Sequence, residues 1–318
     1  MGDKDPVGSS AAALHPLITV AESLSSPPGT VSTHMGDHPR ICLVTGATTG
    51  IGLATAVGLA RDGAHVIIGA RTRERGEAAR ERVAAATGSD RLEVAVADLS
   101  IQAEVRRLAA EIAASHPRLD VLVNNAGMVF SERQETADGI ERTWGLNHLA
   151  PFLLTNLLTD LLVTSAPARV VTVASNAHSR ATLDLDDPEF ARRPYRAFAA
   201  YGQSKLANIL FTLELAGRMQ GRGVTANCLH PGFVRSEFGT RTSGWLRVGI
   251  GIARPFGLTP EQGARTSIYL ATSPDVTDVT GRYFVDCKPT QARPQATDAE
   301  MARRLWDASE RMTGLIRA

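Results

Sequence analysis

The sequence predicts an α/β protein built on a doubly wound parallel sheet of seven strands, in three α/β/α layers and a single domain. Three observations carry this reading. Short β-branched runs alternate with longer segments of helical period from Ile41 onward, the pattern of a parallel sheet covered on both faces. The first run passes straight into a glycine-spaced turn, Thr45-Gly46-Ala47-Thr48-Thr49-Gly50-Ile51-Gly52, that opens a helix. With 318 residues, 43% of them hydrophobic and 21% charged, the chain has ample material for a large buried core.

The strands are expected at Ile41 to Thr45, His65 to Gly69, Leu92 to Val96, Val121 to Asn124, Val170 to Ala174, Thr225 to Leu229 and Tyr283 to Val285. Between them Ile51 to Asp62, Arg73 to Thr87, Ile101 to Ser115, Gly139 to Val163 and Phe198 to Gln220 have helical period, so each crossover is a helix. Thr259-Pro260-Glu261-Gln262 opens a further helix, since threonine caps, proline fits the first turn and glutamine completes a capping box. Thr297 and Glu300 repeat the device and predict a terminal helix over 297–313.

The net charge of +1 gives no electrostatic reason to expect nucleic acid or an anionic membrane as partner. Cys42, Cys228 and Cys287 are too few and too scattered for a disulfide framework or a cysteine metal site, and read as reduced thiols. No apolar run approaches the ~20 residues of a membrane helix. Residues 1–39, rich in proline, glycine and serine, read as a disordered tail before a catalytic domain over 40–318. Its apolar part is broken by His15-Pro16, and Lys4 lies between Asp3 and Asp5, so it makes a poor secretory signal and a cytoplasmic location is expected. The position of Met35, just before the first strand, suggests the hypothesis that translation begins there.

In such a sheet the ligand lies outside the carboxyl ends of the strands, and the first strand-to-helix turn touches phosphate. Gly46 permits the tight turn, Gly50 lets backbone approach a pyrophosphate at the helix N-terminus, and Gly52 permits close helix-to-strand packing. That is a Rossmann-type dinucleotide loop. After the second strand, Gly69-Ala70-Arg71 offers no carboxylate for a ribose 2′-hydroxyl but does offer a guanidinium, which pairs with a 2′-phosphate. NADP is therefore expected rather than NAD. Arg73 and Arg75, opening an exposed helix, read first as solvated side chains.

Tyr201 and Lys205 lie four residues apart in a helical run and so share one face. An ammonium beside a phenol favours phenolate, which makes the tyrosine an acid/base usable nearer neutrality than its ordinary pKa of ~10. Isolated, this spacing is also common on surface helices.

Taken together, these residues resemble the classical short-chain dehydrogenase/reductases over nearly the whole chain from about residue 40. The Thr45 to Gly52 loop, with Thr48, Thr49 and Ile51, is similar to that family's cofactor loop, and Asp98-Leu99 to its adenine contact. Asn124-Asn125-Ala126-Gly127 looks like the segment that ends the fourth strand, and Pro231-Gly232-Phe233-Val234 like the loop holding the nicotinamide amide. Asn147 matches the helix-borne asparagine, Ser175 the catalytic serine, and Tyr201 with Lys205 the acid/base pair. Within the family, Lys205-Leu206-Ala207-Asn208 and Gly281-Arg282-Tyr283-Phe284-Val285-Asp286-Cys287 resemble retinol dehydrogenases and WW-domain-containing oxidoreductases. The resemblance implies homodimers or homotetramers, and chemistry carried by the cofactor without a metal.

It also implies roles. Ser175 would bind the substrate carbonyl, Tyr201 would protonate it, Lys205 would lower the tyrosine pKa and hold the nicotinamide ribose, and Asn147 would anchor a water that returns the proton. Arg235 to Phe256, with Phe238, Trp245 and Leu246, is either an apolar substrate lid or a packed, oligomer-facing segment. His178 reads as pocket lining or surface structure, and His148 and His230 as packing or turn residues. The leading expectation is an NADP-dependent carbonyl reductase or alcohol dehydrogenase for an apolar substrate. A dinucleotide-binding scaffold without turnover is the alternative, and the short C-terminal region argues against a sugar-nucleotide epimerase or dehydratase.

Overall fold

The structure is a computed structural model, and it describes Met1, residues 38–234 and residues 257–315. The chain divides into two compact units, residues 1–35 and 36–318, and every strand and helix named here belongs to the second. The tail and the Arg235 to Phe256 segment lie outside the described residues, save Met1, His38 and Pro39.

Eight strands form one sheet in the order β3-β2-β1-β4-β5-β6-β7-β8. They are β1 Ile41–Val44, β2 His65–Ala70, β3 Leu92–Val96, β4 Val121–Asn124, β5 Ala168–Val173, β6 Val224–His230, β7 Tyr283–Val285 and β8 Lys288–Pro289. Every pairing from β3 to β7 is parallel. The eighth strand, unforeseen in the sequence, turns back antiparallel on β7 through Asp286 and Cys287, both at positive φ. Two residues with a proline at the edge carry almost no periodic signal.

Strand side chains alternate between two cores. Leu43, Ile67, Leu122 and Val170 enter one cluster, while Val44, Val66, Ile68, Val123 and Val171 enter the other. The second core is closed by α1 Gly50–Arg61, α2 Arg73–Thr87 and α8 Pro260–Thr272. The first is closed by α3 Gln102–Ser115, α5 Ala150–Leu157, α6 Thr159–Thr164, α7 Ala197–Arg218 and α9 Ala299–Thr313. Both faces are thus dry, which is why the strands read as apolar runs. Cys42, Cys228 and Cys287 are free, and burial pushes the Cys42 and Cys228 thiols up to about 12. Among the described residues no helix is long and apolar enough to cross a membrane.

The capping box on α8 is as the sequence predicts: Thr259 accepts from Gln262 N, and Gln262 Oε1 accepts from Thr259 N. Its expected counterpart on α9 is not formed. Asp298 caps that helix, accepting from Glu300 N and Met301 N, and Thr297 donates to Pro294 O instead. A carboxylate is the stronger acceptor at a helix N-terminus. The single helix expected over Gly139 to Val163 is a succession: α4 Arg142–Trp144, a π-helical turn Gly145–Leu149, then α5 and α6.

Candidate active site

Strand order reverses between β1 and β4, and the crevice at this switch point is where a doubly wound sheet binds its ligand. The loops leaving β1, β4, β5 and β6 carry the Gly46 to Gly52 turn, Asn125 to Gly127, Ser175 and Pro231 to Val234. Four separated segments thereby border one crevice.

Thr45 ties the first two loops. Its hydroxyl donates to Val123 O and accepts from Asn125 N and Ala126 N at 2.9 and 3.0 Å. Asn125 Nδ2 donates back to Thr45 O at 2.8 Å and Gly46 O at 3.2 Å. Gly46 and Gly50 have φ of +62° and +56°, which L side chains adopt only under strain. A Cβ on Gly52 would run into Asn125 Nδ2 and Gly46 O. Thr49, the N-cap of α1, makes no side-chain cap hydrogen bond, so that helix end suits an anion. Arg71 follows the last residue of β2 and is exposed, with no hydrogen bond or ion pair to another described residue. Arg73 instead donates to Val94 O and pairs with Glu77. These features fit the phosphates of a dinucleotide. Asp98 accepts from Ser100 N and Oγ, a turn that leads the chain from β3 into α3. The last loop closes through Val234, which bridges Leu258, and Leu258 N donates to Phe233 O at 2.7 Å.

On α7, Tyr201 is half-buried and Lys205 is buried. Lys205 Nζ donates to Val173 O at 2.8 Å and lies 5.7 Å from the centre of the Tyr201 ring. Burial raises the Tyr201 phenol to about 12, against the lowering effect of a hydrogen bond with Ser175. Burial also draws the Lys205 amine down to about 8. The expected depression of the phenol by Lys205 does not enter: the lowering contribution comes from Ser175, and desolvation disfavours the charged form of both Tyr201 and Lys205. Ser175, two residues past the end of β5, has its hydroxyl accepting from Ala177 N at 3.2 Å.

Asn147 lies in the π-helical turn and is buried. Its Oδ1 accepts from Met128 N at 2.8 Å, and its Nδ2 donates to Met128 O and to Ser204 Oγ. The amide so joins the loop after β4 to α7. A methyl added at Gly127 would lie 3.2 Å from Asn147 Oδ1 and 3.3 Å from Lys205 Nζ, so these two polar atoms border the same small space. The turn has a local cause. Pro151 lacks an N–H and crowds the carbonyl of Asn147 four residues back, and that carbonyl accepts from Asn208 Nδ2 at 2.9 Å. Asn208 Oδ1 pairs with His148 Nδ1 at 3.3 Å, and His148 Nε2 with Ser309 Oγ at 2.9 Å.

His148 is indeed a packing residue, its ring 4.5 Å from that of Trp144 and its pKa lowered to about 3 by burial. His178 is not a surface residue: it is buried, edge-on to Tyr283, with Nδ1 on Ser175 O at 2.7 Å. His230 Nδ1 accepts from Asn176 N and pins the same loop. Ser204 and Asn208 support the site without standing out in the sequence as site residues, and Thr45, read only as the start of the glycine turn, also ties it to the loop after β4. Ser204 and Asn208 are four residues apart on α7, and that helical spacing is the signal the sequence offers for them.

A profile of the family described as short chain dehydrogenase matches residues 40–246. Retinol dehydrogenase 14 of Mus musculus is 44% identical over 298 residues, covering 88% of this chain and 87% of its own. Retinol dehydrogenase 13 of Homo sapiens is 43% identical over 281 residues, covering 87% and 85%. Among solved structures, an uncharacterized protein from Mycobacterium paratuberculosis superposes with a TM-score of 0.70 at 34% identity, over 87% of this chain and 96% of that one. Pseudomonas aeruginosa RhlG, solved as a complex with NADP, gives 0.62 at 31% identity, over 77% and 93%. Matched in sequence and in fold over most of its length, the chain belongs to the short-chain dehydrogenase family of oxidoreductases, with retinol dehydrogenases among its relatives.

Proposed function

We propose that the protein is an NADP(H)-dependent oxidoreductase that interconverts an apolar alcohol and its aldehyde or ketone. The observation that carries this reading is the convergence of Ser175, Tyr201, Lys205 and Asn147 beside a glycine turn suited to phosphate. Gly46 to Gly52, Asp98, Leu99, Asn125 to Gly127, Pro231, Gly232 and Val234 would hold the dinucleotide, with Arg71 on the 2′-phosphate. Held there, the dinucleotide would supply the hydride. Ser175 Oγ donates a hydrogen bond to the substrate carbonyl oxygen and steadies the negative charge that grows there. Tyr201 Oη gives that oxygen its proton, and a phenol raised to about 12 is in its acid form at neutral pH. In the oxidative direction Tyr201 takes the proton back. Lys205 Nζ, already fixed to Val173 O, has donors left for ribose hydroxyls when charged. A water beside Gly127, between Lys205 Nζ and Asn147 Oδ1, returns the proton to solvent.

Two features favour an apolar substrate. Phe198 and Phe233, each 53% exposed, lie on the two elements that carry Tyr201 and the Pro231 loop. The relatives named retinol dehydrogenases point the same way. A panel of aldehydes and ketones followed by NADPH absorbance, with NADH in parallel, tests cofactor and substrate class together. Oxidation of NADPH at least ~10-fold more efficient than of NADH is expected, falling towards parity in Arg71→Ala, because one guanidinium-phosphate pair contributes about 1.5–3 kcal/mol. Equal use of both cofactors by the unaltered protein would contradict the role of Arg71.

A further inference from the structure

At the opposite end of the sheet from the site, three side chains from separate elements meet: His65, the first residue of β2, Glu93 on β3, and His116, which follows α3. Ile67 is the register partner of Glu93, so His65, two residues earlier, is the diagonal neighbour of Glu93 on the same face. His116 Nε2 lies 3.1 Å and His65 Nε2 3.5 Å from Glu93 Oε2. One ligand atom from each residue lies within 4.8 Å of the others.

The hydrogen bonding there is incomplete in a way that asks for a cation. His116 is 8% exposed. The Ser115 hydroxyl donates to Glu111 O at 2.7 Å, so its oxygen accepts from His116 Nδ1 at 2.8 Å. With the proton held on Nδ1, the lone pair of His116 Nε2 points at a carboxylate oxygen. His65 Nε2 is buried and has no hydrogen-bond partner among the described residues. A proton on His116 would relieve the first contact and leave His65 unanswered. A metal ion answers both.

We propose that His65, Glu93 and His116 bind a divalent transition-metal ion, zinc in the first instance, as a structural staple. Two imidazoles and a carboxylate are a zinc donor set, and bonds of about 2.0–2.2 Å at tetrahedral angles separate ligand atoms by about 3.3–3.6 Å. The 3.1 and 3.5 Å separations match that edge within the adjustment that binding requires. Ser115 supplies the outer partner that orients a ligating histidine. Glu93 and Ser115 also line a groove of about 270 Å³, and the Glu93 side chain is 42% exposed, so the carboxylate is reached from solvent. Bound there, the ion ties β2, β3 and the end of α3 together at the edge of the sheet, far from Tyr201 along the strands.

The test is zinc titration of the full, untagged, chelator-stripped chain, read by calorimetry and by thermal unfolding, with cobalt giving a visible absorption band as a second signal. One zinc per chain and a raised Tm are expected. In Glu93→Gln and in His65→Asn, affinity falls ~10-fold or more and the rise in Tm disappears. A variant with His15, His34 and His38 all changed to Gln keeps both. Glu93 is 42% exposed at its side chain, so Glu93→Gln folds, which an unchanged Tm without zinc verifies. Absence of binding, or binding that survives in both Glu93→Gln and His65→Asn, overturns the proposal and leaves an imidazolium-carboxylate cluster.

Discussion

At Lys205 two demands compete: the proposed mechanism uses a cation, and the interior disfavours one. Burial shifts the amine from 10.5 to about 8, so the folded protein binds this proton less tightly than the unfolded chain. The unfolded state then holds more protons between pH 8 and 10.5, and stability rises with pH across that window. Below it the folded state carries the full cost of a buried ammonium. Relative to Lys205→Met, which keeps the volume without the charge, the protein should gain up to about 3 kcal/mol between pH 7.5 and 10. Urea midpoints of the two proteins at both pH values measure this, and a constant difference would contradict it. Tyr201 has the opposite sign: raised from 10 to about 12, it contributes stability that is lost as pH climbs through that range, equally in both proteins.

The π-helical turn shows how one element positions another. Pro151 frees the Asn147 carbonyl, Asn208 on α7 takes it, and the Asn147 amide reaches both Met128 and Ser204. Asn208→Leu leaves that carbonyl and His148 Nδ1 buried without their present partner, which costs about 1–3 kcal/mol. Because the altered group touches neither reactants nor cofactor, kcat should fall while the dinucleotide Kd stays within about twofold, as steady-state kinetics and fluorescence titration would show. Unchanged kcat would mean that Asn147 is positioned without Asn208. Helical period alone merges this region into one helix, since a π turn keeps its apolar positions nearly in phase. Only Pro151 marks the break. Residues whose meaning lies in local spacing were legible: Tyr201 with Lys205, the glycine turn, Ser175 at a strand end. Asn208 and the cluster of His65, Glu93 and His116 were not, because 28 and 23 residues separate the members of that cluster and only strand register and the exit of α3 bring them together.

Across the whole molecule, one sheet with two dry faces fixes the carboxyl ends of β1, β4, β5 and β6 in a common plane. The alternation of strand and helix was enough to place that crevice, and element boundaries moved by no more than three residues. What alternation could not convey was the two-residue β8, or α9 docking Trp306 against Phe152 at 4.9 Å and Phe211 at 5.9 Å behind the π turn. The fold thus supplies a rigid frame, and the proposed chemistry depends on one phenol within it. Tyr201→Phe removes the proton donor and little else, since the ring and its packing remain. NADPH affinity and carbonyl reduction, measured on the same preparation of this variant, test the mechanism most directly. NADPH binding within about threefold of the unaltered protein, with turnover down ~10²–10⁴-fold, is the expected result for a lost general acid; turnover that persists at the original rate would contradict it.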